Sequence, residues 1–194
     1  LMVCAVCGRL GNDANKGWKK VLPLPFELAA FPRKWFAILQ LPVVSYALPA
    51  LIAIGYARFI HVRPIFPVRI LRALAWKKTS RVLQEIHPES GGYLEATPLT
   101  SFVTIALASS GQKQHPVVEK AIPFLLASMR PDGSWPIDTN LDTWTTTLSV
   151  NALARSGALE ARPERLAATR AWLLSQHYVE EHPYTRAPPG GWAR

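Results

Sequence analysis

One piece of punctuation recurs along this chain: an apolar stretch with helical spacing, a short polar turn containing glycine, and an aromatic residue that closes the turn. The clearest copy is Arg130-Pro-Asp-Gly-Ser-Trp135, which follows apolar residues ending at Met129 and precedes an apolar run from Trp144 to Leu153. Weaker copies are Glu89-Ser-Gly-Gly-Tyr93 before it and Pro189-Gly-Gly-Trp192 after it. A lone helix pair cannot bury its own apolar face, so units repeated in this way must stack on one another. The expected fold is therefore all-α, built of αα-hairpin repeats. Aligning Gly92, Gly133 and Gly191 gives intervals of 41 and 58 residues, which implies insertions. The longer interval holds Tyr178 to Pro189, whose prolines and polar residues read as a surface loop.

Helix boundaries follow from caps and prolines. Thr97 is expected to cap a helix whose first position is Pro98, running through Phe102, Val103 and Leu107 to Gly111. Pro116 opens the next, loosened by Pro123 and ended by Pro131-Asp-Gly133. Asp142 or Thr143 begins the helix carrying Trp144, and Gly157 ends it; Pro163 opens the last, to about His177. The β-branched run Thr145-Thr-Thr147 is the one place where a strand competes. Further upstream, residues 1 to 9 read as a short helix, Gly11 to Gly17 as a loop and Leu22 to Phe26 as extended, with helices over about 27 to 40, 43 to 58 and 67 to 85. Three regions are expected: 1–20, an N-terminal helix and loop; 21–85, an apolar and basic helical segment; and 86–194, the repeats.

At 194 residues, 49% of them hydrophobic, the chain can bury a sizeable core. Its formal charge of +9 comes from residues 28 to 84, which hold nine Lys and Arg and no Asp or Glu. Between those cations lie Phe59, Ile60, Ile65, Phe66, Ile70, Leu71 and Leu74. Apolar bulk beside positive charge suits an anionic membrane surface better than nucleic acid, which is not an expected partner. Trp35 to Ala57 is free of charge for 23 residues, but Pro42, Pro49, Gln40, Ser45 and Gly55 interrupt it. A buried, broken helix pair is expected there, with a membrane span as the alternative. No secretory signal is expected, because a basic n-region is missing. Cys4-Ala-Val-Cys7 has no second ligand pair to complete a zinc site, and no metal or cofactor is expected.

In its order of segments the chain resembles the squalene-hopene and oxidosqualene cyclases, the class II terpene cyclases with Gln-Trp repeats. The resemblance rests on Arg130 to Trp135, Leu41-Pro-Val-Val-Ser-Tyr-Ala-Leu-Pro49, Trp172-Leu-Leu-Ser-Gln176 and Gly190-Gly-Trp192, and covers roughly residues 20 to 194. It implies that the hairpins form part of an α/α toroid, here an incomplete barrel, whose aromatic lining holds a polyprenyl substrate such as squalene. Cyclisation runs through carbocations, so such a lining must be apolar yet electron-rich, which aromatic faces provide. By this resemblance Trp144 and Trp192 match cavity aromatics, Phe102 is a weaker third match, and Glu95 and Thr97 occupy the loop before it. It also implies peripheral or monotopic attachment to the cytoplasmic side of a membrane, and leaves oligomer formation open.

The departures concern chemistry. Met129 stands where the family has Gln, and Thr145 where an Asp often follows the tryptophan. The initiating Asp-x-Asp-Asp acid is not in the sequence and would be expected beyond Arg194, so no catalytic residue is assigned and the chain is expected to be an internal fragment, inactive alone. Plainer roles stand beside the sharper ones: Trp135 as a lock on its turn, Trp192 equally as lock or lining, Glu95 as a solvated loop charge, Asp138 and Asp142 as loop and cap residues. No histidine is expected to be a ligand. Two alternatives share the architecture. A protein prenyltransferase-like toroid would need a zinc set of Asp, Cys and His, and no Asp-x-Cys is present. A non-enzymatic, membrane-associated αα-repeat binding module would need no chemistry at all.

Overall fold

Proline sets the start of most of the longer helices, because its fixed φ and missing N–H cost nothing in a first turn. It occupies one of the first two positions of α3 (Leu48–His61), α4 (Phe66–Glu85), α5 (Thr97–Ser109), α6 (Pro116–Ala127) and α8 (Pro163–Ser175). The remaining helices are α1 (Met2–Val6), α2 (Ala14–Lys19) and α7 (Asp142–Arg155), with short 3-10 turns at Phe26–Ala30 and Tyr93–Glu95. The computed structural model describes residues 1–11, 14–31, 47–159, 162–181 and 188–192. The fold is all-α: among the described residues there is no strand, only isolated bridges joining Ala96 to Asp138 and His177 to Trp192. Residues 41–46 of the Leu41–Pro49 segment, residues 35–46 of the charge-free run, and much of the helix expected over 27–40 lie outside the described residues.

The chain divides into two compact units, Leu1–Thr139 and Asn140–Arg194. In the first, α3 packs on α5, α4 and the Phe26–Ala30 turn, and α5 packs on α6. Small residues bring the backbones close. Ala53 and Ala57 are fully buried, and a Cβ on Gly55 would lie 2.9 Å from the Leu24 carbonyl oxygen and 3.0 Å from Phe26 Cβ. Around this contact the aromatic rings pack in stacked and edge-on arrangements. Tyr56 stacks on Trp76 at 3.4 Å and 8°, while Phe26 meets Tyr56 edge-on at 6.0 Å. The buried Arg72 on α4 crosses this cluster, its guanidinium 5.6 Å from the centre of the Phe26 ring. Both Glu27 oxygens lie 3.1 Å from Arg72 Nε; Oε1 accepts hydrogen bonds from Nε and Nη2, while Oε2 is held by charge alone. Removing either partner would strand a buried charge at a cost of about 3–5 kcal/mol.

Several expectations change here. Gly11 to Gly17 is not all loop: α2 begins at Ala14, and Trp18 within it is buried and stacks on His61 at 4.1 Å, packing that overrides a loop-like composition. Thr97 does not cap α5. Ala96 holds the cap position without a side-chain bond, and the Thr97 hydroxyl donates to the Pro136 carbonyl. His115 caps α6 instead, its Nδ1 accepting the Val117 N–H at 3.3 Å.

In the second unit α7 and α8 are both helical as expected. The threonine run is helical, and its hydroxyls are satisfied by carbonyls one turn back, Thr145 to Leu141 at 2.9 Å and Thr147 to Thr143 at 3.0 Å. Asp142 is the first residue of α7 and not its cap, which is Leu141. None of the described residues in this unit is buried.

Candidate functional site

A helix ends with carbonyls that have no partner in the helix, and something outside must satisfy them. Three times in this chain the aromatic ring that closes the following turn donates to such a carbonyl, alone in the first two copies and beside the Gln176 N–H in the third. Tyr93 Oη donates to the Leu83 carbonyl at 2.7 Å, Trp135 Nε1 to that of Leu125 at 2.7 Å, and Trp192 Nε1 to that of Leu173 at 2.6 Å. Each accepting leucine is the third residue from the end of its helix, α4, α6 and α8 respectively. Around the first two, the cap N–H groups take the carbonyls on either side, Val82 and Gln84 or Phe124 and Leu126, leaving the leucine oxygen to the ring.

The turns themselves agree in detail. The residue two before each aromatic is a glycine at positive φ: Gly91 at 87°, Gly133 at 80° and Gly190 at 84°. The structural alignment is therefore Gly91, Gly133 and Gly190, one residue earlier than Gly92 and Gly191 in the outer copies, because the left-handed position and not the count of glycines defines the turn. Ser90 and Asp132 occupy matching positions, each side chain accepting the N–H two residues on. The Asp132 carboxyl is held below its usual range by the backbone N–H and hydroxyl of Ser134.

Beyond the first two aromatics the loops join. Ala96 and Asp138, each three residues past its ring, form an antiparallel bridge, with Thr97 N–H to the Ile137 carbonyl at 3.0 Å and Thr139 N–H to that of Glu95 at 2.8 Å. Glu95 closes this clasp with its side chain, accepting the Ser90 hydroxyl at 2.5 Å and the Thr139 hydroxyl at 2.8 Å. Leu94 and Glu95 sit in succession at φ 53° and 55°. Left-handed backbone costs about 1–2 kcal/mol at a residue with a Cβ, so the clasp holds a strained bend.

The sequence-predicted residues divide accordingly. Glu95 and Thr97 are brought together around residues 136–139, where both act as fasteners. Phe102 lies in the same unit on α5 and is 44% exposed. In the second unit Trp144, at the start of α7, is 51% exposed, and Trp192 is 47% exposed with its N–H committed to Leu173. Among the described residues no group of three or more His, Cys, Asp or Glu converges as a metal site. Cys4 and Cys7 are both exposed.

Two histidines, read from the sequence only as non-ligands, have structural roles that no local pattern announces. His115 takes the Val117 N–H at Nδ1, while its Nε2 lies 2.8 Å from Ser80 Oγ and 3.4 Å from the Gln84 amide nitrogen. The ring thus ties the start of α6 to α4. His87 donates from Nε2 to the Gly91 carbonyl at 3.0 Å and lies 4.7 Å from the Tyr93 ring. Burial pushes both imidazoles below their ordinary pKa; for His87 the bond to Gly91 opposes the shift and the charge of Lys120 adds to it. Trp135 locks its turn as expected, and the signal that would have added Tyr93 is a leucine ten residues before an aromatic, at Leu125 and Trp135 and again at Leu83 and Tyr93. Compared with known proteins, the chain matches no family model, no curated protein and no solved structure.

Proposed function

We propose that this chain contributes helical hairpins to the α/α toroid of a squalene-hopene-type cyclase, supplying part of an aromatic wall against which a polyprenyl cation is stabilised. The observation that supports this reading most is the threefold ring-to-leucine lock with its left-handed glycine. One local design used three times is what a stack of like hairpins requires. Trp144 is the principal candidate for contact with substrate, with Phe102 beside it in rank; each presents about half of its surface. Trp192 serves first as a lock. Glu95 and Thr97 shape the loop and leave the cation to the rings. The initiating acid is no part of this sequence, so the chain binds and shields and does not protonate an alkene.

The test is direct binding. A squalene analogue bearing an ammonium in place of a cationic carbon should quench tryptophan fluorescence of the full chain more strongly than neutral squalene at equal concentration. Trp144→Leu should weaken the ammonium analogue about 3- to 30-fold, the range of a partly desolvated cation-π contact, and leave the neutral ligand nearly unchanged. Equal affinity for both ligands, or indifference to Trp144→Leu, would overturn the reading.

A further inference from the structure

Helix α1 is short, yet its last turn is closed by a complete cap. Gly8 takes the left-handed position at φ 66°, its N–H donates to the Ala5 carbonyl at 3.1 Å, and the Arg9 N–H donates to that of Cys4 at 2.8 Å. These two bonds with a left-handed glycine hold the end of a helix in one geometry. The Cys7 N–H donates to the Val3 carbonyl at 3.0 Å, so Cys7 still lies on the helical turn. Met2 and Ala5 are buried where α1 packs on α2 and α5. Cys4 and Cys7 are free and exposed. At about 100° per residue they stand together on the side of the turn opposite Met2 and Ala5. The neighbourhood in sequence is cationic: Arg9, Lys16, Lys19 and Lys20 precede Glu27, against Asp13 alone.

Side chains three apart on a helical turn have Cβ atoms about 5–6 Å apart, whereas a disulfide wants about 3.5–4.5 Å. Joining the two sulfurs directly would therefore pull against the capped turn. An ion held between two thiolates spans about twice a metal–sulfur bond of about 2.3 Å, which suits the wider gap. The number of donors then selects the ion. Zinc takes four ligands or three and a water, iron–sulfur clusters take four thiolates, and hard cations take oxygen. Among the described residues no third His, Cys, Asp or Glu joins the pair, and Met2 turns its thioether to the buried side. What remains is a soft, closed-shell monovalent ion that is satisfied by two sulfurs in line. We propose that Cys4 and Cys7 form a two-coordinate bis-thiolate site for one Cu(I) ion. Loading releases one proton from each thiol and changes no oxidation state. The bound unit carries a single negative charge, which the cations around it, Arg9 foremost, offset. Exposure leaves the ion within reach of an incoming thiolate, the route by which it enters and leaves. The site holds whether or not a polyprene is the ligand elsewhere.

Titration of the reduced full chain with Cu(I) under argon, in competition with the chromophoric chelator bicinchoninate, tests it. One ion should bind per chain. Cys4→Ser and Cys7→Ser should each weaken binding at least about a hundredfold, because a neutral hydroxyl is a poor ligand for a soft ion. Both positions face solvent, so the far-ultraviolet circular dichroism of each variant should match that of the parent chain. X-ray absorption at the copper edge should show two sulfur neighbours and no nitrogen or oxygen. An excess of zinc should leave the ion in place, and loading should leave the oligomeric state unchanged. Tight binding that survives in the variant carrying both serines, displacement by zinc, an ion shared between two chains, or a Cys4–Cys7 disulfide that persists in reduced glutathione would each overturn the proposal.

Discussion

Tyr93 and Trp135 reach back the same ten residues to the same place on a helix, yet one ring is fully buried and the other is 48% exposed. The difference lies in what surrounds the turn. In the first copy a Cβ on Gly92 would fall 2.2 Å from Phe124 Cζ, and one on Gly91 would fall 2.4 Å from the Lys120 carbonyl oxygen. In the second copy a Cβ on Gly133 would meet nothing within 4 Å. One hydrogen-bond pattern thus serves as core in one place and as a surface latch in another, and the two copies tolerate change differently.

The sharpest way to break the comparison is to fill the glycines. Gly91→Ala, the match of Gly133, should destabilise the first unit by about 3 kcal/mol, because its Cβ would fall 2.4 Å from the Lys120 carbonyl oxygen in packed surroundings as well as forcing a left-handed alanine. Gly133→Ala should cost about 1–2 kcal/mol, the price of a left-handed alanine alone. Urea unfolding followed by amide exchange in α5 and α6 separates the two, and equal losses would erase the distinction. Next in size is the donor itself. Tyr93→Phe leaves the Leu83 carbonyl buried and unpaired, a loss of about 1–3 kcal/mol, whereas Trp135→Phe lets water reach Leu125 and should cost less for the bond, about 1 kcal/mol. The same exchange measurement reads both.

Smallest is the effect of acid. His87 and His115 both titrate below the ordinary 6.5 when folded, so between their folded values and 6.5 the unfolded chain binds more protons. Stability of the first unit should therefore be full above pH 6.5 and fall as pH drops below it. His115→Asn, which keeps an acceptor for the Val117 N–H, should flatten part of that slope in denaturation midpoints collected from pH 7.5 to 5. A profile unchanged in His115→Asn would remove that histidine from the account.

Much of the helical framework was legible because proline speaks locally: Pro98, Pro116 and Pro163 mark helix starts whatever surrounds them. The turn motif was legible as composition, but its register was not, since Gly91 and Gly92 look alike until φ separates them. The short helix α2 stayed hidden because its support is distant, Trp18 stacking on His61 more than forty residues away. Thr97 and Glu95 read as loop residues near a site. Their bonds to Pro136 and Thr139 cross about forty residues, a pairing that no local pattern announces. Trp144 shows the same boundary from the other side: spacing can place a ring on a helix face, but only the surrounding chain decides what covers it.

The clasp between residues 95–97 and 137–139 also acts as a ruler. Because Ala96 and Asp138 stand equally far past their rings, one residue added between Tyr93 and Ala96 would slide every partner by a notch and uncouple Glu95 from Thr139. The distance from ring to clasp must therefore be kept.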